Sequence, residues 1–200
     1  IGWGFTLIAL VALFFARSDD WVRLSVTAEL PASRGTVLIQ LATVDRHTAF
    51  ADPTIEALVQ GPMVERGGVA STFCRPDACA PGARRNLLSG TTAEYFQGAN
   101  ATARASTEGG RLSAEPTTRI QPTAVEGEHY VVLPWEADSA GLTTFSLYVR
   151  RQTDAGLRLQ LWDSNTNGVI VDFKYATGLY ELNTVGAAAS GGVVADPPGS

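Results

Sequence analysis

The sequence is poor in the residue types that carry catalysis. His47 and His129 are its only histidines, and it contains neither a G-x-S-x-G nucleophile elbow nor an H-x-x-x-H pair. A glycosidase would instead need a pair of carboxylates, but no two of the acidic residues stand out from the surface acids expected of an acidic chain. The carboxylates considered are Glu94, Glu126, Glu128, Glu136, Asp138, Asp163 and Asp172. We therefore predict a protein that is not an enzyme, with no catalytic residue and no cofactor.

Positive charge is also scarce. The 15 lysines and arginines are outnumbered by 20 acidic residues, which gives a net charge of −5, and Lys174 is the only lysine. Nucleic-acid binding requires a basic patch that contacts phosphates, and the sequence contains no such patch. We predict no nucleic-acid partner.

Cysteine is limited to Cys74 and Cys79, within the segment CRPDAC. Metal sites built on cysteine usually include further cysteines or histidines nearby, and both histidines are distant in sequence. Pro76 favours a turn that brings the two sulfurs together. A short-loop disulfide is the preferred prediction over two free thiols, and it indicates an oxidising compartment.

A second candidate metal site is the segment from Asp163 to Gly168, which matches the first half of an EF-hand loop. The twelfth position of that loop must supply a bidentate Glu, and here it is Lys174. A β-turn at Asn167-Gly168 between two strands explains the same residues. We predict no metal site.

Long hydrophobic runs are absent except for one, Ile1 to Ala16, which contains no charge. A helix of this length reaches ~24 Å, somewhat less than a bilayer core of ~30 Å. Because the chain opens on Ile1 instead of Met, the span is expected to continue upstream. We predict a transmembrane helix over residues 1–17 that anchors the protein in a bacterial inner membrane. Its membrane-facing side chains are Trp3, Phe5, Leu7, Leu10, Phe14 and Phe15.

Three alternatives for this segment stay open. A cleaved signal peptide would want a small residue at Phe14, in the A-x-A cleavage pattern. A buried core helix is less natural for a segment that is apolar on every face. The Gly4-Phe5 junction resembles the type IV pilin processing motif, but pilins carry a Glu where this chain has Ala9. The cysteine pair favours an orientation with the bulk of the chain periplasmic.

Residues 18–85 are predicted to form a membrane-proximal hairpin followed by an irregular segment. Residues 22–30 alternate between apolar and polar side chains, and residues 36–44 form a more apolar strand after a turn, so the two are expected to pair. Ile55 to Val59 is expected to form a helical turn. The Gly- and Pro-rich remainder, with the cysteines, either contacts a partner or packs on its own domain.

From Asn86 onward, strand-like runs recur at short intervals. Many short strands with almost no helical pattern predict a β-sandwich or jelly roll over residues 86–185. The tail, residues 186–200, has the composition of a flexible end. The predicted strands are Ala101–Ser106, His129–Leu133, Leu142–Arg150, Leu157–Trp162, Val169–Tyr175 and Leu179–Val185.

Two stretches of this part carry a family resemblance. The Asn86-Leu87-Leu88 start and the run from Leu142 to Gly178 resemble the jelly-roll domains, similar to carbohydrate-binding modules, of phage structural and bacterial surface proteins. The resemblance implies the fold, whereas members of such families bind sugars, bind proteins or only fill space. A sugar platform would be built from Tyr148, Trp162 and Tyr175, and the alternative is that these aromatics pack against the rest of the chain.

The sequence thus predicts a mainly β protein with one transmembrane helix. Its expected function is that of a non-catalytic accessory subunit of a larger membrane complex, for example a photosynthetic or respiratory one. Its partners would be membrane lipid and other transmembrane subunits. A membrane-tethered glycan-binding or adhesion module is the second hypothesis, and a pilin-like filament subunit is the third.

Overall fold

The structure is a computed structural model that describes residues 21–42, 56–79, 85–112, 115–125, 127–151, 156–174, 180–186 and 193–196. The predicted anchor, with all of its membrane-facing side chains, and Tyr175 lie outside these residues. Within the described ranges, no helix is long and apolar enough to cross a bilayer.

The described residues form twelve strands and one short 3-10 helix, Ala93–Tyr95. The strands are β1 Val22–Leu30, β2 Arg34–Ala42, β3 Ala57–Arg66, β4 Gln97–Ala99, β5 Ala101–Ser106, β6 Thr117–Pro122, β7 His129–Glu136, β8 Gly141–Arg151, β9 Gly156–Asp163, β10 Gly168–Lys174, β11 Tyr180–Val185 and β12 Val193–Asp196. Sheet A has the order β12-β1-β8-β3-β6-β5, and sheet B has the order β11-β10-β9-β2-β7-β4. The chain is therefore mainly β, and its two antiparallel sheets form a sandwich.

Alternating apolar side chains from both sheets fill the space between them. In sheet A, Phe145, Leu147 and Val149 of β8 point inward, and in sheet B the inward residues include Leu159 and Leu161 of β9. Each such side chain contributes roughly 1.5–3 kcal/mol on full burial, which makes this core the main source of stability. The six strands predicted after residue 100 are confirmed, with boundaries that differ by a few residues at most.

The predicted pairing of the first two strands is wrong. β1 lies between β12 and β8 in sheet A, whereas β2 lies between β9 and β7 in sheet B, so residues 31–33 cross from one sheet to the other. Alternation identifies a strand with one buried face, but it does not identify the strand beside it. The sandwich consequently begins at β1 instead of at residue 86.

The helical turn predicted at Ile55 to Val59 is also wrong, because residues 57–66 form β3 in the middle of sheet A. Gly61-Pro62 does not end this strand. The register with β8 shifts between Gln60 and Met63, and Gly61 has a φ of 56°. A proline cannot donate to the ladder, and a bulge of this kind lets the strand accommodate it.

The prediction of a flexible end over residues 186–200 is wrong for its central part. Val193–Asp196 forms β12, which pairs with residues 23–26 of β1 and extends sheet A by one strand. The surrounding Gly, Ala and Ser residues give this segment the overall composition of a linker. The prediction followed that composition and did not take account of two adjacent valines, which have high β-propensity.

Candidate functional site

The predicted disulfide between Cys74 and Cys79 is confirmed. The intervening turn is closed by a hydrogen bond from the Ala78 amide to the Arg75 carbonyl, 3.2 Å long. The disulfide cross-links the end of an irregular segment, residues 67–79, which we call the disulfide loop.

The disulfide loop packs on the outer face of sheet A. The amide and hydroxyl of Ser71 donate to the Glu65 carboxylate at 2.7 and 2.6 Å, and Glu65 is 0% exposed. Thr144 of β8 donates to the Gly67 carbonyl at 2.7 Å, and Arg23 of β1 donates to the Ser71 carbonyl. Of the two alternatives left open by the sequence, these contacts show the loop packed on its own domain.

The Asn86 side chain connects the disulfide loop to β3 through hydrogen bonds. Its amide oxygen accepts hydrogen bonds from the Val64 and Leu88 amides, each 3.2 Å, and its amide nitrogen donates to the Pro62 and Cys74 carbonyls, each 3.1 Å. The side chain is 1% exposed, so these four bonds replace the water that it has lost. The start of the Asn86-Leu87-Leu88 motif therefore ties β3 to the disulfide loop.

Glu115 adds a further buried contact to the disulfide loop. Its carboxylate accepts from the Thr91 hydroxyl at 2.7 Å and from Arg75 Nε at 2.8 Å. The hydrogen bond to Glu115 raises the pKa of the Arg75 guanidinium. Beside it, Gln60 exchanges hydrogen bonds with the backbone of Leu112. The outer face of sheet A is thus largely occupied by the chain's own loops.

The three aromatic residues predicted as a sugar platform are not brought together. Tyr148 belongs to β8 in sheet A, where the Arg23 guanidinium lies 5.6 Å from its ring centre, whereas Trp162 belongs to β9 in sheet B. Tyr175 lies outside the described residues. A shared platform for Tyr148 and Trp162 is therefore wrong. The alternation of apolar and polar residues predicts which side of its own strand each ring occupies. It does not predict which sheet that strand joins.

Trp162 is part of a different arrangement on the outer face of sheet B. Its six-membered ring packs against Gly168, where a β-carbon would come within 2.9 and 3.0 Å of two indole carbons. Its indole N–H donates to the Gln160 amide oxygen at 2.8 Å, and Gln160 in turn donates to Gln40 at 3.1 Å. This chain of bonds fixes the orientation of the indole.

Half-buried apolar side chains surround these amides. In the strand register, Leu38 of β2 lies between Gln160 of β9 and Val132 of β7, and Ile170 of β10 lies on the far side of Gln160. We call this surface the sheet B face. It comprises Leu38, Gln40, Tyr130, Val132, Arg158, Gln160, Trp162, Ile170 and Asp172.

The charges on the sheet B face are paired with each other. Arg158 Nε and Nη2 donate to the two oxygens of Asp172 at 2.6 and 2.9 Å, a bidentate geometry. The hydrogen bond to Asp172 raises the pKa of the Arg158 guanidinium, although burial opposes this shift. The face therefore presents no unpaired charge from these two residues.

Except for Trp162, no residue of this face was predicted from the sequence as a binding residue. A signal was present in β2, where Val37, Ile39 and Leu41 form one alternating set and Leu38 lies in the other. A strand with one solvated face normally carries polar residues in its outward set.

The segment after Asp163 forms a turn between β9 and β10. Asp163 Oδ1 accepts from the Asn165 and Asn167 amides, both at 2.8 Å, and Oδ2 accepts from the Asn167 side chain at 3.0 Å. Burial alone would raise the pKa of Asp163, but the hydrogen bonds from Asn167 and Asn165 outweigh it and lower that pKa. No group of three His, Cys, Asp or Glu residues suited to a metal ion occurs in the described part of the chain.

No family model, curated protein or solved structure matches this chain. Its function is therefore inferred from its own residues and their geometry.

Proposed function

We propose that this protein is a non-catalytic accessory subunit of a membrane complex, held by a single N-terminal transmembrane helix. Its β-sandwich stands outside the cytoplasm and binds a protein surface of a neighbouring subunit through the sheet B face. The observation that carries this proposal is the contrast between the two sheets. Loops of the chain cover the outer face of sheet A, whereas the outward positions of sheet B carry half-buried aliphatic and aromatic side chains.

The composition of the sheet B face suits a protein partner. Interfaces are enriched in aromatic residues and Arg at an apolar centre, with polar groups around it, and Trp162, Tyr130 and Arg158 provide these residue types. The pairing of Arg158 with Asp172 avoids the large penalty of desolvating a lone charge. In a chain of net charge −5, this locally compensated surface is well suited to close protein contact.

The size of the face also fits. Six strands spaced about 4.8 Å apart, with about seven residues each at 3.4 Å, give a sheet face on the order of 700 Å². A standard interface buries roughly 800 Å² on each partner. The whole outer side of sheet B, with the sheet B face at its centre, therefore has about the area of one side of a stable interface.

Two further features support the compartment and the fold class. The disulfide fits an oxidising space outside the cytoplasm. The antiparallel pairs β1–β8, β2–β7 and β3–β6 are nested around the consecutive strands β4 and β5. This nesting is the pattern of a jelly roll, and we propose that class for the sandwich.

The proposal is tested by extracting the full chain from its native membrane in mild detergent and measuring the mass of the native particle. We expect a stoichiometric complex with other subunits. Leu38→Glu and Ile170→Glu place a charge on the sheet B face and should release the protein from that complex. Ala105→Glu, at an exposed position of β5 in sheet A, is the matched control and should leave the complex intact. A wild-type protein that runs alone would overturn the proposal.

A glycan ligand is the second candidate for the same face. It is favoured by the indole of Trp162, which the bond to Gln160 holds in place beside amide and guanidinium groups that hydrogen-bond sugar hydroxyls. On a glycan array, binding by the full chain should be lost with Trp162→Ala and kept with Tyr148→Ala, which alters sheet A. Absence of binding by the wild-type chain would eliminate this candidate.

A pilin-like filament is the third hypothesis, and it depends on residues 1–16. A filament subunit should self-assemble through that segment, so purely monomeric behaviour after extraction would count against it.

A further inference from the structure

Each sheet of the sandwich ends in two strands that have a paired neighbour on one side only among the described residues. They are β12 and β5 in sheet A, and β11 and β4 in sheet B. The outer edge of such a strand presents backbone N–H and C=O groups that can pair with another strand. β12 has four residues and β4 has three, whereas β5 and β11 have six each. Only β5 and β11 therefore reach the usual length of a paired strand.

The β11 edge lacks the features that usually protect an edge strand. Natural proteins prevent pairing at such edges with lysines, prolines or bulges, or by covering them. β5 carries Arg104, and the 3-10 helix Ala93–Tyr95 lies beside it. β11 reads YELNTV, and its register with β10 is unbroken from Tyr180 to Val185. β11 is therefore the edge best suited to accept another strand.

The side chains of β11 divide between the two faces of sheet B. Leu182 lies opposite Val171 of β10 and packs against the hydrophobic core, but it is only half-buried. Its neighbours Glu181 and Asn183 alternate with it, so they lie on the outer face, where both are exposed. A further strand beside β11 would complete the burial of Leu182, which is favourable for an apolar side chain.

β11 is complementary to itself in one antiparallel register. With a two-fold axis at Leu182, the two leucines lie opposite each other on the inner face, and Glu181 of one copy lies opposite Asn183 of the other. Opposed residues then share a face, and no like charges meet. An axis at Glu181 would bring two glutamates together. An axis at Asn183 would place Glu181 opposite Val185 and separate the leucines.

We propose that two copies of this chain pair through β11, antiparallel about a two-fold axis at Leu182. Their B sheets then form one continuous sheet, and the sheet B faces of the two copies lie side by side on the same surface. Symmetric dimers of this kind are the commonest homo-oligomers. The pairing uses the edge of the sheet instead of its outer face, so it is independent of the function proposed above.

Cysteine crosslinking of the full chain in its native membrane tests this pairing. In Leu182→Cys the two introduced residues face each other with Cα atoms about 5 Å apart, a separation that a disulfide spans. In the control, Thr184→Cys, the two introduced residues lie about four residues apart along the strands, ~14 Å, which is too far. Cys74 and Cys79 are already paired. Mild oxidation should therefore give a covalent dimer with Leu182→Cys and not with Thr184→Cys. Absence of that dimer, or equal amounts from both variants, would overturn the proposal.

Charges at Asn183 test the same pairing without touching the core. Asn183→Glu places like charges opposite each other at two points of the dimer, whereas Asn183→Lys places opposite charges there. In detergent, the dissociation constant of the homodimer should rise about fivefold with Glu and fall by a similar factor with Lys. The difference should shrink in 1 M salt, because these pairs are exposed. A change in the same direction for both variants, or no change for either, would contradict the proposed register.

A third experiment separates this pairing from the proposed function. Leu38 lies on β2, which β9 and β10 separate from β11. In the double variant Leu38→Glu and Leu182→Cys, other subunits should dissociate while the crosslink forms as before. Retention of the other subunits would count against the proposed function alone. Loss of the crosslink would count against the pairing of β11.

Discussion

Gly35 has no room for a side chain. A β-carbon at this position would lie 1.8 Å from the Trp162 carbonyl oxygen, the atom to which the buried Trp135 indole donates at 3.1 Å. Gly35→Ala must therefore separate β2 from β9 or break that hydrogen bond, at a cost of about 3 kcal/mol in the free energy of unfolding.

Urea unfolding followed by circular dichroism measures this cost. Gly109→Ala is the matched control, because a β-carbon at that position would meet no atom of the described residues within 4 Å, its chain neighbours aside. The effect of this control on stability should stay within about 0.5 kcal/mol. Equal stability of the two variants would show that the close approach at Gly35 is not tight.

Asp163 links stability to pH at the turn between β9 and β10. Its hydrogen bonds lower its pKa in the folded state below the value of about 3.9 expected in the unfolded chain. The stabilisation from these hydrogen bonds is therefore fully present at pH values above the pKa of Asp163 in the unfolded chain. It is lost as the pH falls through the pKa of Asp163 in the folded protein. Asp163→Asn should be less stable than the wild type at pH 6, and this gap should shrink below about pH 4. Urea midpoints measured from pH 2 to 6 would contradict this if the gap did not change with pH.

At the scale of whole elements, the packing of the disulfide loop against β3 depends on the Asn86 side chain. Asn86→Ala removes the hydrogen bonds that this side chain accepts from the Val64 and Leu88 amides and donates to the Pro62 and Cys74 carbonyls. Because one unpaired buried group costs roughly 1–3 kcal/mol, the variant should lose about 3 kcal/mol or more. It should also expose the loop, so the disulfide should be reduced by dithiothreitol several-fold faster.

Asn183→Ala, at an exposed position of β11, is the control for both measurements and should match the wild type. An unchanged reduction rate in Asn86→Ala would mean that the loop does not rely on this residue.

Strands with one buried face could be predicted from the sequence, whereas the strands beside them in the sheet could not. The alternation in β1 and β8 identified both strands, yet the neighbours of β1 are β8 and β12, both more than a hundred residues away. β3 was missed because it is buried on both faces and contains Gly61-Pro62, which in isolation is typical of a turn. The bulge and the covering loops that make β3 a strand are tertiary features.

Only those features of the candidate site that depend on local sequence could be predicted. Trp162 was identified as an outward aromatic, and Cys74 was correctly paired with Cys79, because both inferences are local. The separation of Tyr148 from Trp162 depends on which strands meet in each sheet.

For the molecule as a whole, the central claim is that one face of the sandwich serves its own loops and the other serves a partner. Sheet A is covered by contacts to Glu65, Asn86 and Glu115, whereas the sheet B face holds its polar groups in a fixed pattern among apolar side chains. On our proposal, this division makes the sandwich an asymmetric module whose sheet B face binds the neighbouring subunit.

Site-specific photocrosslinking in native membranes tests that claim most directly. A photoreactive amino acid is placed at Ile170 on the sheet B face and, in a separate variant, at Ala105 on β5. We expect one crosslinked product of defined mass from position 170 and none from position 105. A product from position 105 with none from position 170 would contradict it.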